Sequence, residues 1–294
     1  MLPGTEGPWA RFRAEFAESR LAMAGLVLLL AILVVGILAP VISPQNPYDL
    51  AQLDVMDSKL APGEASAEGR TYWLGTDDQG RDMLSGILYG LRISLGVGIA
   101  STVFALAIGL VLGMMAAYFG GWVDTLIMRV VDIQLSFPAI LIALVLLAVL
   151  GQGVDKIIFA LVTVQWAYYA RTVRSSALVE RQKEYVEAAR VLALGRARIV
   201  FRHLLPNCLP PLIVVATVQV AHAIALEATL SFLGLGLPIT EPSLGLLISN
   251  GFQYLLSGKY WISFYPGVAL LLTIMAINLV ADQLRDILNP RLRK

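Results

Sequence analysis

The chain has 294 residues, 57% of them hydrophobic and 15% charged, with a mean hydropathy of +0.74. A soluble domain carries roughly a quarter charged residues, so the polar side chains are too few to cover a water-facing surface and the chain reads as an integral membrane protein. A net charge of +1, with no Lys/Arg block interleaved with aromatics, argues against nucleic acid as a partner. One cysteine, Cys208, and two histidines, His203 and His222, at no metal-binding spacing argue against disulfide and zinc chemistry.

Charge-free windows locate the spans, because about 20 apolar residues in a helix cross the ~30 Å hydrocarbon core. Leu21 to Ala39, ending before Pro40, is expected to be a retained first span, being longer than the roughly 7 to 15 apolar residues of a signal peptide and lacking a clean cleavage site. Ile93 to Val123, Ile133 to Val154, Ile157 to Ala170, Leu204 to Leu226 and Tyr260 to Ala281 supply five more windows. The expectation is an all-α membrane fold of six spanning helices. It is organised as an N-terminal segment (1–20), a first span (21–42), an external loop (43–90), a five-helix core (91–283) and a C-terminal tail (284–294). With the N-terminus inside, sixteen Lys and Arg residues fall on the cytoplasmic side and six on the other. The positive-inside rule then places both ends in the cytoplasm, and membrane lipid is a necessary partner.

Two polar segments stand out. Residues 43–92 hold eight acidic and four basic residues and the turn-rich run Leu74-Gly75-Thr76-Asp77-Asp78-Gln79-Gly80-Arg81-Asp82. A solvated loop and a contact for a delivering protein both fit that segment. Residues 171–203, between the fourth and fifth spans, hold eight basic and three acidic residues and belong to the cytoplasmic segment 171–206. There Glu184-Tyr185-Val186-Glu187-Ala188-Ala189-Arg190-Val191-Leu192-Ala193 reads as a short helix, with Lys183/Glu187 and Glu187/Arg190 at supporting separations. Gly195 is expected to break it. Arg198, Ile199, Val200, Phe201, Leu204 and Leu205 form a second amphipathic piece ending at Pro206. Together they make a knob that presents Glu187 and its small neighbours to a partner.

Glu187-Ala188-Ala189, followed by Leu205-Pro206, resembles the EAA loop of permease subunits in bacterial binding-protein-dependent ABC importers. Over nearly the whole chain, Leu74-Gly75-Thr76-Asp77, Gly80-Arg81-Asp82, Leu230-Ser231-Phe232-Leu233-Gly234-Leu235-Gly236, and Leu284-Arg285-Asp286 to Asn289-Pro290-Arg291 are similar to the C-type permease of the dipeptide/oligopeptide/nickel branch. The chain departs from that pattern at Ala193, where the family has Gly, at Leu244 before Gly245, where it has Trp, and at Ala281, where it has Gly. The resemblance implies a type I importer permease whose Glu184, Glu187, Ala188, Ala189, Ala193, Gly195 and Pro206 couple it to an ATPase. It implies a second homologous permease subunit, two cytoplasmic ATPase subunits and a soluble substrate-binding protein as partners, and peptides or peptide-like solutes, or nickel and other small solutes, as cargo. The sequence holds no GxxxxGK[ST] phosphate loop. The chain is therefore expected to be non-catalytic and to bind no cofactor, ATP and Mg belonging to the partner ATPases.

Gln165 and Trp166 in the fourth span and Asn278 in the sixth are candidates for a polar translocation path, or for interhelical hydrogen bonds. Glu227 interrupts an apolar run at a cost of a few kcal/mol if unpaired; a structural partner near the helix end, a proton relay and a substrate contact all fit, and the resemblance favours the first. His222 reads as a hydrogen-bonded interior residue. Gly109 and Gly113 form a GxxxG pair suited to close helix packing. The prolines and glycines of residues 234–258 predict a short partial helix on the outer side. An ion-coupled secondary transporter is the rival from another class, but it needs a buried relay and paired broken helices, whereas the chain has one deep acid and no internal repeat. An intramembrane enzyme lacks a GxSxG elbow here.

Overall fold

A computed structural model describes residues 7–288, which are mostly helical with no β-strand among them. The Asn289-Pro290-Arg291 part of the C-terminal motif and the basic residues beyond it lie outside the described residues. The helices are α1 (Pro8–Glu18), α2 (Arg20–Ile42), α3 (Met83–Phe119), α4 (Gly121–Ser136), α5 (Ala139–Leu150), α6 (Val154–Glu180), α7 (Glu184–Val191), α8 (Arg196–Arg198), α9 (Leu205–Phe232), α10 (Leu244–Phe252) and α11 (Trp261–Leu288). A π-helical stretch, Ile199–Leu204, joins α8 to α9.

Local chemistry sets the helix ends. The Ser19 hydroxyl accepts from the Ala22 N–H at the start of α2, and the Asp82 carboxylate accepts from the Ser85 N–H at 2.8 Å at the start of α3. Because Asp82 is the cap, α3 begins at Met83 and not at Ile93, where the charge-free window opens; Arg92 stays exposed on the side of the helix. At 37 residues, α3 is roughly 55 Å long and overshoots the bilayer.

On length and composition, α2, α3, the continuous helix Arg196–Phe232 and α11 are able to cross a membrane. The expected span 133–154 is instead a pair, α4 and α5, bent by 89° at Phe137-Pro138, and makes a fifth crossing only if the pair is taken as one. Pro138 lacks an N–H and disfavours helical geometry at the residue before it, and Phe137 is extended at φ −95°, ψ 143°. The fourth expected span lies within α6, which is 27 residues long but carries Gln165, Tyr168, Arg171 and Arg174. Among the described residues, then, four or five helices meet the requirement, not the six expected; the bent pair and the polar α6 make the difference.

The most extensive helix contact joins α3 and α6. A Cβ on Gly109 would lie 2.4 Å from the Tyr169 Cβ and 2.6 Å from the Trp166 carbonyl oxygen, and one on Gly113 would lie 2.5 Å from the Ala170 oxygen. These glycines let the two backbones touch. Gly96, higher on α3, has open space around its Cβ position. Gly109→Ala is therefore expected to lower the thermal midpoint of the detergent-solubilised protein, by the equivalent of about 1–3 kcal/mol of overpacking. Gly96→Ala is expected to hold or raise it through helix propensity, and equal behaviour of the two variants would count against a glycine-dependent contact.

Candidate functional site

The knob expected between the fourth and fifth spans forms from α7, α8 and the π-helical stretch. Its inner face is fused to the body: Val186 and Ala189 of α7, Ile199 and Leu204, Cys208 and Leu212 of α9, Met114 of α3 and Tyr169 and Val173 of α6 share one buried cluster. Glu184, Glu187 and Ala188 point outward beside Val191 and Leu192, which are 81% and 73% exposed. Ala189, expected on the presented surface, is instead 4% exposed and belongs to the core, because three- and four-residue helical spacing puts it on the face of Val186. Lys183 pairs with Glu180 at 2.6 Å and not with Glu187. Glu184 and Glu187 lie in the first turn of α7, where carboxylates suit the helix dipole. Braces fix the knob's angle. The Tyr185 hydroxyl donates to Glu180 at 2.7 Å, Asn207 donates to the His203 carbonyl at 2.7 Å, and Arg181 donates to the Ala117 carbonyl at the end of α3 at 2.8 Å. Burial and the Glu180 hydrogen bond push the Tyr185 hydroxyl up to about 12, so it keeps the proton it donates.

The break after α7 falls at Ala193, not at Gly195. Ala193 adopts φ +53°, its N–H donates to the Arg190 carbonyl at 2.9 Å, and the Leu194 N–H donates to the Ala189 carbonyl at 3.1 Å. This is a Schellman C-cap, with alanine in the left-handed position that glycine fills at least cost. Gly195, at φ −58° and in open surroundings, has no need to be glycine. Pro206 does not end the second piece either: it sits in the first turn of α9, and the helix runs through it. Ahead of it, the Leu205 N–H reaches back five residues to the Val200 carbonyl, the wide π register through which the chain enters the proline-bearing turn.

The three path candidates are not brought together. Gln165 is fully buried, and its amide donates to the Gln219 carbonyl at 3.5 Å. Trp166 packs into the apolar clusters of α3, α4 and α6. Asn278 is exposed on α11. A cavity of about 400 Å³ does open between α4, α6, α9 and α11, with Tyr168, Arg171, Gln219, Asp282 and Arg285 among its walls. Asn278 shares the α11 face of Asp282 and Arg285, and Gln165 backs Gln219. The spacing of Arg171 after Tyr168 and of Arg285 after Asp282, three residues each, was a readable signal that charge-free windows discard.

Glu227 is fully buried and accepts from the Ser94 hydroxyl of α3 and the Ser231 hydroxyl, each at 2.8 Å. It ties α9 to α3, which is an architectural role. His222 is exposed on α9 rather than interior.

The segment 43–82, expected outside, is an ordered plug. Asp77 and Arg81 are 0% and 1% exposed, and Arg81 Nη2 donates to the Ile239 carbonyl at 2.7 Å, joining the plug to the segment before α10. The Gln45 side chain accepts from the Asp82 N–H at 2.7 Å, and Trp261 at the start of α11 donates to the Thr76 carbonyl at 3.2 Å. Gly80, at φ +76°, closes the turn where any Cβ would meet the Asp54 carbonyl. The partial helix predicted within residues 234–258 is α10, capped by Ser243. Burial pushes the Asp77 carboxyl up to about 6, outweighing the Arg81 and Gln79 backbone donors and the Arg81 charge that pull it down.

Two outcomes follow from this geometry. Ala193→Gly is expected to stabilise the protein by about 1 kcal/mol and Ala193→Val to destabilise it, read as thermal midpoints; a drop with glycine would remove the strain argument. At Asp77 the folded value lies above the ordinary 3.8, so its stability contribution is full below about pH 4 and lost as pH rises through 6. Asp77→Asn should flatten that part of the midpoint's pH dependence between pH 4 and 7, and an unaltered slope would rule Asp77 out as its source.

Comparison with known proteins places this arrangement. Residues 109–294 match the family described as binding-protein-dependent transport system inner membrane component, and residues 7–62 match the N-terminal transmembrane domain of oligopeptide transport permease C. The chain is 36% identical over 286 residues to the dipeptide transport system permease protein DppC of Alkalihalophilus pseudofirmus, covering 97% of this chain and 91% of that one. It is 41% identical over 269 residues to a putative peptide transport system permease protein of Brucella suis, covering 92% and 87%. A solved structure of the inward-facing MetNI methionine ABC transporter shares the fold at a TM-score of 0.57 and 23% identity, over 70% of this chain and 98% of that chain. The chain belongs to the inner membrane components of binding-protein-dependent transport systems, in the permease C branch.

Proposed function

We propose that the chain is one of two permease subunits in an ATP-driven importer of peptides or peptide-like solutes, working with two cytoplasmic ATPase subunits and a soluble binding protein. The observation that carries this reading is the two-faced α7: Val186 and Ala189 are locked into the core, while Glu184, Glu187, Ala188, Val191 and Leu192 are offered outward. Two apolar side chains exposed beside two carboxylates, on a helix braced at both ends, suit a partner's groove better than they suit water. ATP and Mg belong to the ATPases; this chain holds no cofactor and catalyses nothing itself. Both termini and the knob lie in the cytoplasm, supported by the sixteen-to-six division of basic residues.

With the second permease in place, the cavity bearing Tyr168, Arg171, Gln219, Asp282 and Arg285 faces the pathway, α6 completing the membrane-crossing set. Charges of both signs suit a zwitterionic solute, and peptide transport is what the relatives' names state. Glu187→Lys is expected to abolish substrate-stimulated ATP hydrolysis by the reconstituted complex while membrane insertion stays normal. Stimulation equal to that of the unaltered complex would overturn the docking role.

A further inference from the structure

Two adjoining hollows lie where the end of α3 meets the knob. One is an apolar groove of about 290 Å³ between the last turns of α3 and the π-helical stretch, with Leu110, Met114, Met115, Val200, Phe201 and Leu205 in its walls. The other, of about 410 Å³, is walled by Arg181, Arg190 and Arg196 with Tyr118 and no carboxylate. Tyr118, Phe119 and Arg196 border both, so the hollows lie side by side. Arg181 is held in place by the Ala117 and Tyr118 carbonyls. Among the described residues neither Arg190 nor Arg196 forms an ion pair, so two uncompensated guanidinium groups face the basic hollow.

We infer that an anionic phospholipid occupies this composite site, its phosphate on Arg190 and Arg196 beside Arg181 and one acyl chain in the groove. Charge complementarity selects an anion for the basic end, and basic hollows at cytoplasmic helix ends are suited to lipid headgroups. The dimensions select a lipid over a free phosphate. From Leu110 to Phe119 the helix rises roughly 14 Å, close to one leaflet of the ~30 Å hydrocarbon core. Phe119 and Trp122, 61% and 76% exposed, mark the interfacial level at which the headgroup sits. Arg190 is on α7 and Tyr118 on α3, so the lipid bridges the coupling helix to α3. This inference rests on the proposed cytoplasmic coupling role of the knob.

The test uses the complete complex, purified in mild detergent, exchanged against micelles holding equal phosphatidylglycerol and phosphatidylcholine, and read by native mass spectrometry. Selective retention of phosphatidylglycerol is expected, reduced about tenfold in the Arg190→Gln/Arg196→Gln double variant. Met115→Trp, which fills the groove and leaves every arginine, is expected to reduce it as well. Equal retention of both lipids, full retention in either variant, or a photo-crosslink from position 115 to a protein subunit overturns the site. The same spectra report whether ATPase subunits are bound. An assembled complex without selective lipid refutes the lipid site alone, while missing ATPases refute the coupling reading and leave lipid selectivity to be scored on the chain itself.

Discussion

The backbones of α3 and α6 touch at Gly109 and Gly113, and much of the rest of the molecule takes its place from that contact. α6 carries the knob at one end, so an error in its crossing would displace α7 from the cluster that Met114, Tyr169 and Val173 share with Val186 and Ala189. α3 also carries Ser94, the partner of Glu227, and the Asp82 cap that anchors the external plug. One long helix thus meets the packing face of α7, the buried acid and the plug. Interiors packed this closely shift between discrete arrangements rather than deform smoothly. A displacement of α7 therefore has a rigid body to act on.

Legibility in the sequence followed the physics of each feature. Charge-free windows found α2, α3, α9 and α11 because a lipid-facing helix is apolar all round. The window Ile157–Ala170 lies within α6 but did not give its length, since α6 continues through Arg171 and Arg174, which pair with Asp132 and Asp124 of α4; the windows also missed the bend at Pro138 because composition does not encode direction. The knob's position was readable from its small residues and carboxylates. Which alanine faced outward followed from spacing once Val186 is taken as the inward residue, since Ala189 lies three positions on, on the same face. Ala193 is the instructive case. Glycine at 195 marks a break for any reader of propensities, yet the hydrogen bonds of Ala193 and Leu194 put the left-handed residue two positions earlier. The geometry of the cap outranked the local preference of the residue in it.

The external segment shows the opposite failure. Twelve charges over fifty residues fitted a solvated loop or a contact for a delivering protein, and neither reading places Asp77 and Arg81 in the interior, where Arg81 reaches a carbonyl 158 positions away. A buried ion pair is weak ground for stability, because desolvation offsets its attraction. Its value lies in specificity: removing either partner strands a charge, so the plug has one seat. That seat is on the segment between α9 and α10, which follows directly from Glu227 and Ser231.

Inner and outer ends are therefore linked through few elements. The Arg196–Phe232 helix begins in the knob, passes Glu227, and leads into the segment that Arg81 grips. Its three prolines cluster at the knob end, beside the π-helical register, while near its other end Glu227 is held by Ser94 of α3. Near the knob the prolines remove ladder hydrogen bonds from this helix, and near the plug the buried Glu227 ties it to α3.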